Sequence, residues 1–217
     1  MIRILLFIHG FFFANILVAA SDCPSDEVAA VEQVMQYSTV DVSGGKSLDI
    51  RSEGRGEIKH YVSVTGSTYQ QNSGETLIPS GMDDSGNFIY RWLPLEVDIW
   101  ERGENIYRST RREGKEAHRR KNRTIDKDFN PLVAIEDVSS KMPDTDIVAG
   151  HRCRLSQQAV GEDGSMSVCN LEIYGLNTPL ESRISYKNGS RQTFVTTSLK
   201  ELCLEKSRFE VPEREWE

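Results

Sequence analysis

His151 to Val160 (HRCRLSQQAV), the turn Gly161-Glu162-Asp163-Gly164, and Ser165 to Tyr174 (SMSVCNLEIY) read as one β-hairpin. On its second strand Cys169, Leu171 and Ile173 share a face, and Cys153 and Leu155 share it from the first strand. Folding at the turn brings Cys153 near Cys169 on neighbouring strands, a geometry that permits a disulfide. The chain has four cysteines, and four allow three pairings. With Cys153–Cys169 taken, Cys23–Cys203 follows.

The same period of two runs outward from this hairpin. Residues 182–197 form a second hairpin around Asn188-Gly189, with Ile184, Tyr186, Thr193 and Val195 expected on one face. Upstream, Ile58, His60, Val62 and Val64 alternate, as do Leu93, Leu95, Val97 and Ile99 against Glu96 and Asp98. Gly103 and Gly114 fall where turns of a meander belong, and Pro94 suits a strand start or edge. Three stretches follow a helical spacing instead. Ser25 can cap a helix of about a dozen residues carrying Val28, Val31, Val34 and Met35 on one face; the pattern fades near Tyr37, and Gly44-Gly45 breaks it. Asn130-Pro131 opens a short helix over 130–141 that presents Leu132, Ile135 and Val138. In the tail, Leu199, Leu202 and Cys203 stand at helical spacing. The expected fold is mainly β within the α+β class. It is a curled antiparallel sheet, or half-open β-barrel, with an N-terminal helix and a short mid-chain helix over its open side.

The first twenty residues read differently. Arg3 is followed by an apolar run to Ala19 that closes on Val18-Ala19-Ala20, the pattern of a cleaved secretory signal peptide. The remainder, 21–217, is expected to be a single extracytoplasmic domain, periplasmic or secreted, with no transmembrane segment after cleavage. An even number of cysteines in an exported chain favours disulfides over metal ligation. Without the leader the net charge is −8, so nucleic acid is not an expected partner. The charge is uneven. From Arg102 to Arg123 it is +6, leaving −14 elsewhere. Arg108, Arg111, Arg112, Lys115, Arg119, Arg120, Lys121 and Arg123 therefore form a candidate basic docking surface for an acidic envelope protein. They also suit edge strands that resist aggregation.

Signatures of chemistry are weak. Gly44-Gly45-Lys46-Ser47 lacks the earlier glycine of a phosphate loop, and Asp83-Asp84-Ser85-Gly86-Asn87 lacks the closing glutamate of a calcium loop. His60, His118 and His151 have no second histidine at metal spacing, and no nucleophile motif occurs. No catalytic residue, metal or cofactor is expected. Asn122-Arg123-Thr124 and Asn188-Gly189-Ser190 are glycosylation sequons.

Asp144-Thr145-Asp146-Ile147-Val148-Ala149-Gly150-His151-Arg152-Cys153 resembles a strand opening found in the lipoprotein-carrier (LolA/LolB-like) superfamily of periplasmic proteins. Asn130-Pro131-Leu132 before it, the Cys153/Cys169 hairpin after it and Phe209-x-Val211-Pro212 at the end are similar to the same C-terminal half. The resemblance covers roughly 125–213. It implies a half-open antiparallel barrel wrapped on helices, with an apolar cavity that holds lipid or acyl chains and does no covalent chemistry. Leu93, Leu95, Val97, Ile99 and Trp100 are then the candidate lining. Two expected functions follow: an exported binding protein for lipid, or a protein–protein module docking an acidic partner through 102–123.

Overall fold

A computed structural model describes residues 23–45, 48–102, 105–123, 145–161, 163–213 and 216. They form one antiparallel sheet of eleven strands. Its first meander is β1 (Glu27–Gly45), β2 (Leu48–Ser63), β3 (Thr68–Met82), β4 (Phe88–Arg102), β5 (Asn105–Arg112) and β6 (Lys115–Arg123). Its second is β7 (Thr145–Val148), β8 (His151–Val160), β9 (Gly164–Ile173), β10 (Leu176–Tyr186) and β11 (Arg191–Glu205). The strand order is β6-β5-β4-β3-β2-β1-β11-β10-β9-β8-β7. Each meander pairs only consecutive strands, and the β1·β11 ladder zips the two together. The sheet is open, with β6 and β7 as its edges.

The expected N-terminal helix is a strand. β1 lies between β2 and β11, hydrogen-bonded along both edges, with Ala29, Val31, Gln33 and Met35 buried on one face and Ala30 on the other. The second face also carries apolar residues, Val28, Ala30 and Val34, so the strand's apolar positions fall at helical intervals as readily as at alternate ones. The β-branched Val28, Val31, Val34, Val40 and Val42 fill a pleated surface better than a helix. The tail is corrected in the same way: Leu199, Leu202 and Cys203 belong to β11, whose ladder with β1 is interrupted by a bulge beside Val34 and Met35. The mid-chain helix over 130–141, the leader, Gly103 and the Lys46-Ser47 step lie outside the described residues.

The hairpins stand where the sequence puts them, with shifts in register. Cys169 is directly opposite Leu155, so the bridge to Cys153 runs diagonally along the same face. Cys23–Cys203 is also formed, with 5.6 Å between its Cα atoms. In the Asn188-Gly189 hairpin Ser185 pairs with Arg191, and Thr193 and Val195 face Arg183 and Glu181. Ile184 therefore stands on the opposite face from Thr193 and Val195, since a one-residue slip in pairing reverses every side chain. Pro94 is inside β4, one residue before its pairing with β5 begins.

Packing divides into three clusters. Val148, Cys153, Cys169 and Leu180 form the first, with Leu199 of β11 packed against them. The β7 edge thus curls back over the middle of the sheet. Met35, Ile58 and Phe194 make the second, against Tyr37. Ala30, Tyr61 and Phe209 make the third on the other face, where a turn of 3-10 helix, Lys206–Phe209, lies across the sheet. Gly56 and Gly74 stand directly opposite each other in the β2·β3 ladder. The Tyr37 ring covers both. A Cβ on Gly56 would stand 2.9 Å from that ring and 2.5 Å from the Gly74 Cα, so no other residue fits there.

Candidate functional site

The face shared by Gln33 and Met35 carries three rows that run unbroken from β1 to the β6 edge. The register aligns Gln33, His60, Gln70, Ile99, Arg108 and Arg120 in one row. Met35, Ile58, Asn72, Val97, Thr110 and His118 make the second, and Tyr37, Gly56, Gly74, Leu95, Arg112 and Lys115 the third. Going outward, each row passes from tight packing through one aliphatic side chain of β4 to polar or basic groups on β5 and β6.

The inner end of the first row is a polar knot. Gln33, 1 % exposed, donates through Nε2 to the Pro179 carbonyl at 2.7 Å and to Thr196 Oγ1 at 2.8 Å. Its Oε1 is 3.3 Å from His60 Nδ1. Burial holds the His60 imidazole down to about 4, so it is neutral at pH 7. This histidine is half-buried, and its Nδ1 faces Gln33.

The outer end is the basic surface named from the sequence, and the structure sorts its members. Arg111 is committed to the protein's own carboxylates, with Nε 3.0 Å from Glu96 and Nη2 2.7 Å from Asp98. Lys121 lies over the Tyr107 ring at 5.6 Å. Arg108 stands directly opposite Arg120, and Arg112 directly opposite Lys115. Like charges at directly opposed positions repel. Burial, and then the neighbouring Arg120, hold the Arg108 guanidinium below its usual range. Arg119 faces Ser109 on the other side of the sheet. For Arg123 only its backbone pairing with Asn105 is described.

The candidate lining residues divide as well. Leu93, Leu95, Val97 and Ile99 share the face of the three rows, with Leu93 and Val97 buried. Trp100 does not join them, because the next residue along a strand points to the opposite face. There it belongs to an aromatic ladder that the sequence reading missed: Tyr61 opposite Tyr69, Tyr69 opposite Trp100, Trp100 opposite Tyr107. Ring centroids are 5.8 Å apart for Tyr61 and Tyr69 and 5.3 Å for Tyr69 and Trp100. Trp216 meets Trp100 and Tyr107 edge-on at 6.1 and 5.3 Å. Tyr69 donates to Asp98 Oδ1 at 2.9 Å, and burial together with that carboxylate raises its phenol above the ordinary range. Aromatic spacing along the chain could have flagged these residues, but only register shows that they are neighbours.

Two clefts lie apart from the basic hairpin. One, of about 240 Å³, lies among Thr145, Arg152, Arg154, Asn170 and Asn177. The other, of about 230 Å³, lies among Val31, His151, Ile173, Leu199 and Glu201. Both are below the roughly 300–1,000 Å³ usual for small-molecule pockets. The Asp83 turn spends its carboxylate on itself, accepting from the Ser85 and Asn87 amides at 2.9 and 2.8 Å. Asn188 donates to the Val42 carbonyl and accepts from the Ser190 amide, so its side chain is built into the turn.

No family model matches the chain, and no curated protein matches it significantly. Among solved structures it is similar to the Pseudomonas aeruginosa MucA/MucB complex at 13 % identity and a TM-score of 0.30. That alignment covers 83 % of this chain and 56 % of the other, so this chain spans little more than half of that neighbour. A DUF1329 family protein from Desulfovibrio piger aligns at 11 % identity and a TM-score of 0.34, over 86 % of this chain and 91 % of the other. At these scores neither likeness bears on what this protein binds.

Proposed function

We propose that this protein is a non-enzymatic, extracytoplasmic docking module that holds an acidic protein partner on the exposed basic hairpin β5–β6. The observation that carries the reading is the pair of opposed like charges, Arg108 with Arg120 and Arg112 with Lys115, at the outer edge of a well-packed sheet. An acidic partner brought against them relieves that repulsion and speeds encounter. Two disulfides suit an oxidising compartment. A fluorescent glutamate-rich peptide should bind in low salt, release as ionic strength rises, and bind much more weakly to Arg120→Glu/Lys121→Glu. Equal binding by that variant would sink the proposal.

A second reading takes Leu93, Leu95, Val97 and Ile99, aligned on one face, as a cradle for an acyl chain. Native mass spectrometry followed by organic extraction separates the two. A co-purifying lipid mass supports the cradle, and a clean protein mass leaves the docking hairpin as the site.

A further inference from the structure

We infer that the partner binds as an added β-strand: an extended segment with about three consecutive acidic residues, hydrogen-bonded along the outer edge of β6 over His118–Lys121. The inference rests on the docking reading above and supplies its geometry. β6 pairs with β5 along one edge, and among the described residues no strand pairs with the other. An edge strand turns the N–H and C=O groups of every second residue outward, a template for another chain. An added strand would extend the rows already present: a residue beside Arg120 continues the row Ile99, Arg108, Arg120, and one beside Lys121 continues Trp100, Tyr107, Lys121. Those rows lie on opposite faces of the sheet. Lys121 is basic on one face and Arg120 on the other, so the matching strand needs carboxylates on both. That demands consecutive acidic residues, where an alternating pattern would satisfy one face only.

Two features limit the site. The ladder between β5 and β6 shifts register between Thr110 and Arg111, so two residues, Glu116 and His118, flank an extra one on β6. Such bulges interrupt pairing and separate Lys115 from the run His118–Lys121. Second, two β6 edges brought together would oppose arginine with arginine. The charge that admits an acidic strand therefore rejects a second copy of the same edge.

The test uses the disulfide-bonded protein and a labelled peptide with three successive glutamates flanked by valine and threonine. A second peptide carries N-methyl groups on alternate amides, which removes main-chain donors and leaves every charge. The expected result is about tenfold weaker binding of the methylated peptide, the loss of roughly one or two net hydrogen bonds. Amide exchange at His118–Lys121 should also slow when the unmethylated peptide is present. If both peptides bind equally and only Arg120→Glu/Lys121→Glu weakens them, strand addition is overturned and electrostatic docking stands. If that variant and the milder Lys121→Gln both bind like the parent, the docking reading falls as well. Concentration-dependent self-association without peptide, abolished by Arg120→Glu, would make the occupant a second copy and also overturn the inference.

Discussion

The hairpins β8–β9 and β5–β6 are the same device at opposite ends of one sheet, and they are held together by opposite means. In β8–β9 the opposed pair Leu155 and Cys169 lies beside a covalent bridge, and Leu180, fully buried, seals that face with Leu199. In β5–β6 the opposed pairs are arginine with arginine and arginine with lysine. The first hairpin is optimised for its own stability. The second gives up some of its own and keeps a charged edge that no strand among the described residues pairs with. The proposed acidic partner would relieve that repulsion.

Removing the bridge tests the stapled end. Cys153→Ser/Cys169→Ser should lose about 3 kcal/mol in denaturant unfolding, the loop-closure value for a short loop. A loss below about 1 kcal/mol would assign that hairpin's stability to its apolar packing. Leu180→Ala should cost about 2–5 kcal/mol by the same measurement, since it opens a cavity in the cluster that curls β7 over β11. The centre of the sheet should respond to pH. His60 is held down to about 4 from an ordinary 6.5, so between those values the unfolded chain binds more protons than the folded one. Stability should therefore fall as pH drops through this window, by about 1 kcal/mol per unit, and His60→Gln should flatten that slope. At the other end Arg120→Gln should stabilise the free protein by about 0.5 kcal/mol while weakening the acidic peptide. A destabilised Arg120→Gln would mean that the guanidinium is structural, and the contrast between the two hairpins would lose its meaning.

Much of this was legible in the sequence. The hairpin around Asn188-Gly189, the strand from Leu93 to Ile99, both cysteine pairs and the basic run follow from alternation, turn chemistry and charge. β1 was not legible, because apolar residues stand on both its faces, Val31 and Met35 on one and Val28, Ala30 and Val34 on the other, which blurs the alternation of a strand. The site was visible as composition only. That Arg108 faces Arg120 and that Arg111 is neutralised by Glu96 and Asp98 depend on register. The ladders shift register at Val34–Met35, Pro79–Gly81, Thr110–Arg111 and Pro179–Glu181; a proline marks two of these bulges, and nothing in the local sequence announces the other two.

The strand order has a kinetic consequence. Within each meander every strand meets its immediate neighbour, so those contacts close over short loops. The β1·β11 ladder alone joins residues as far apart as Glu27 and Glu205. Loop closure on that scale slows folding, so the two meanders are set to form first as separate ribbons and dock last. Cys23–Cys203 lies at the end of that late seam. Joining the chain there and reopening it between Arg123 and Thr145 would turn the same sheet into eleven strands in consecutive order, a topology in which every pairing is local.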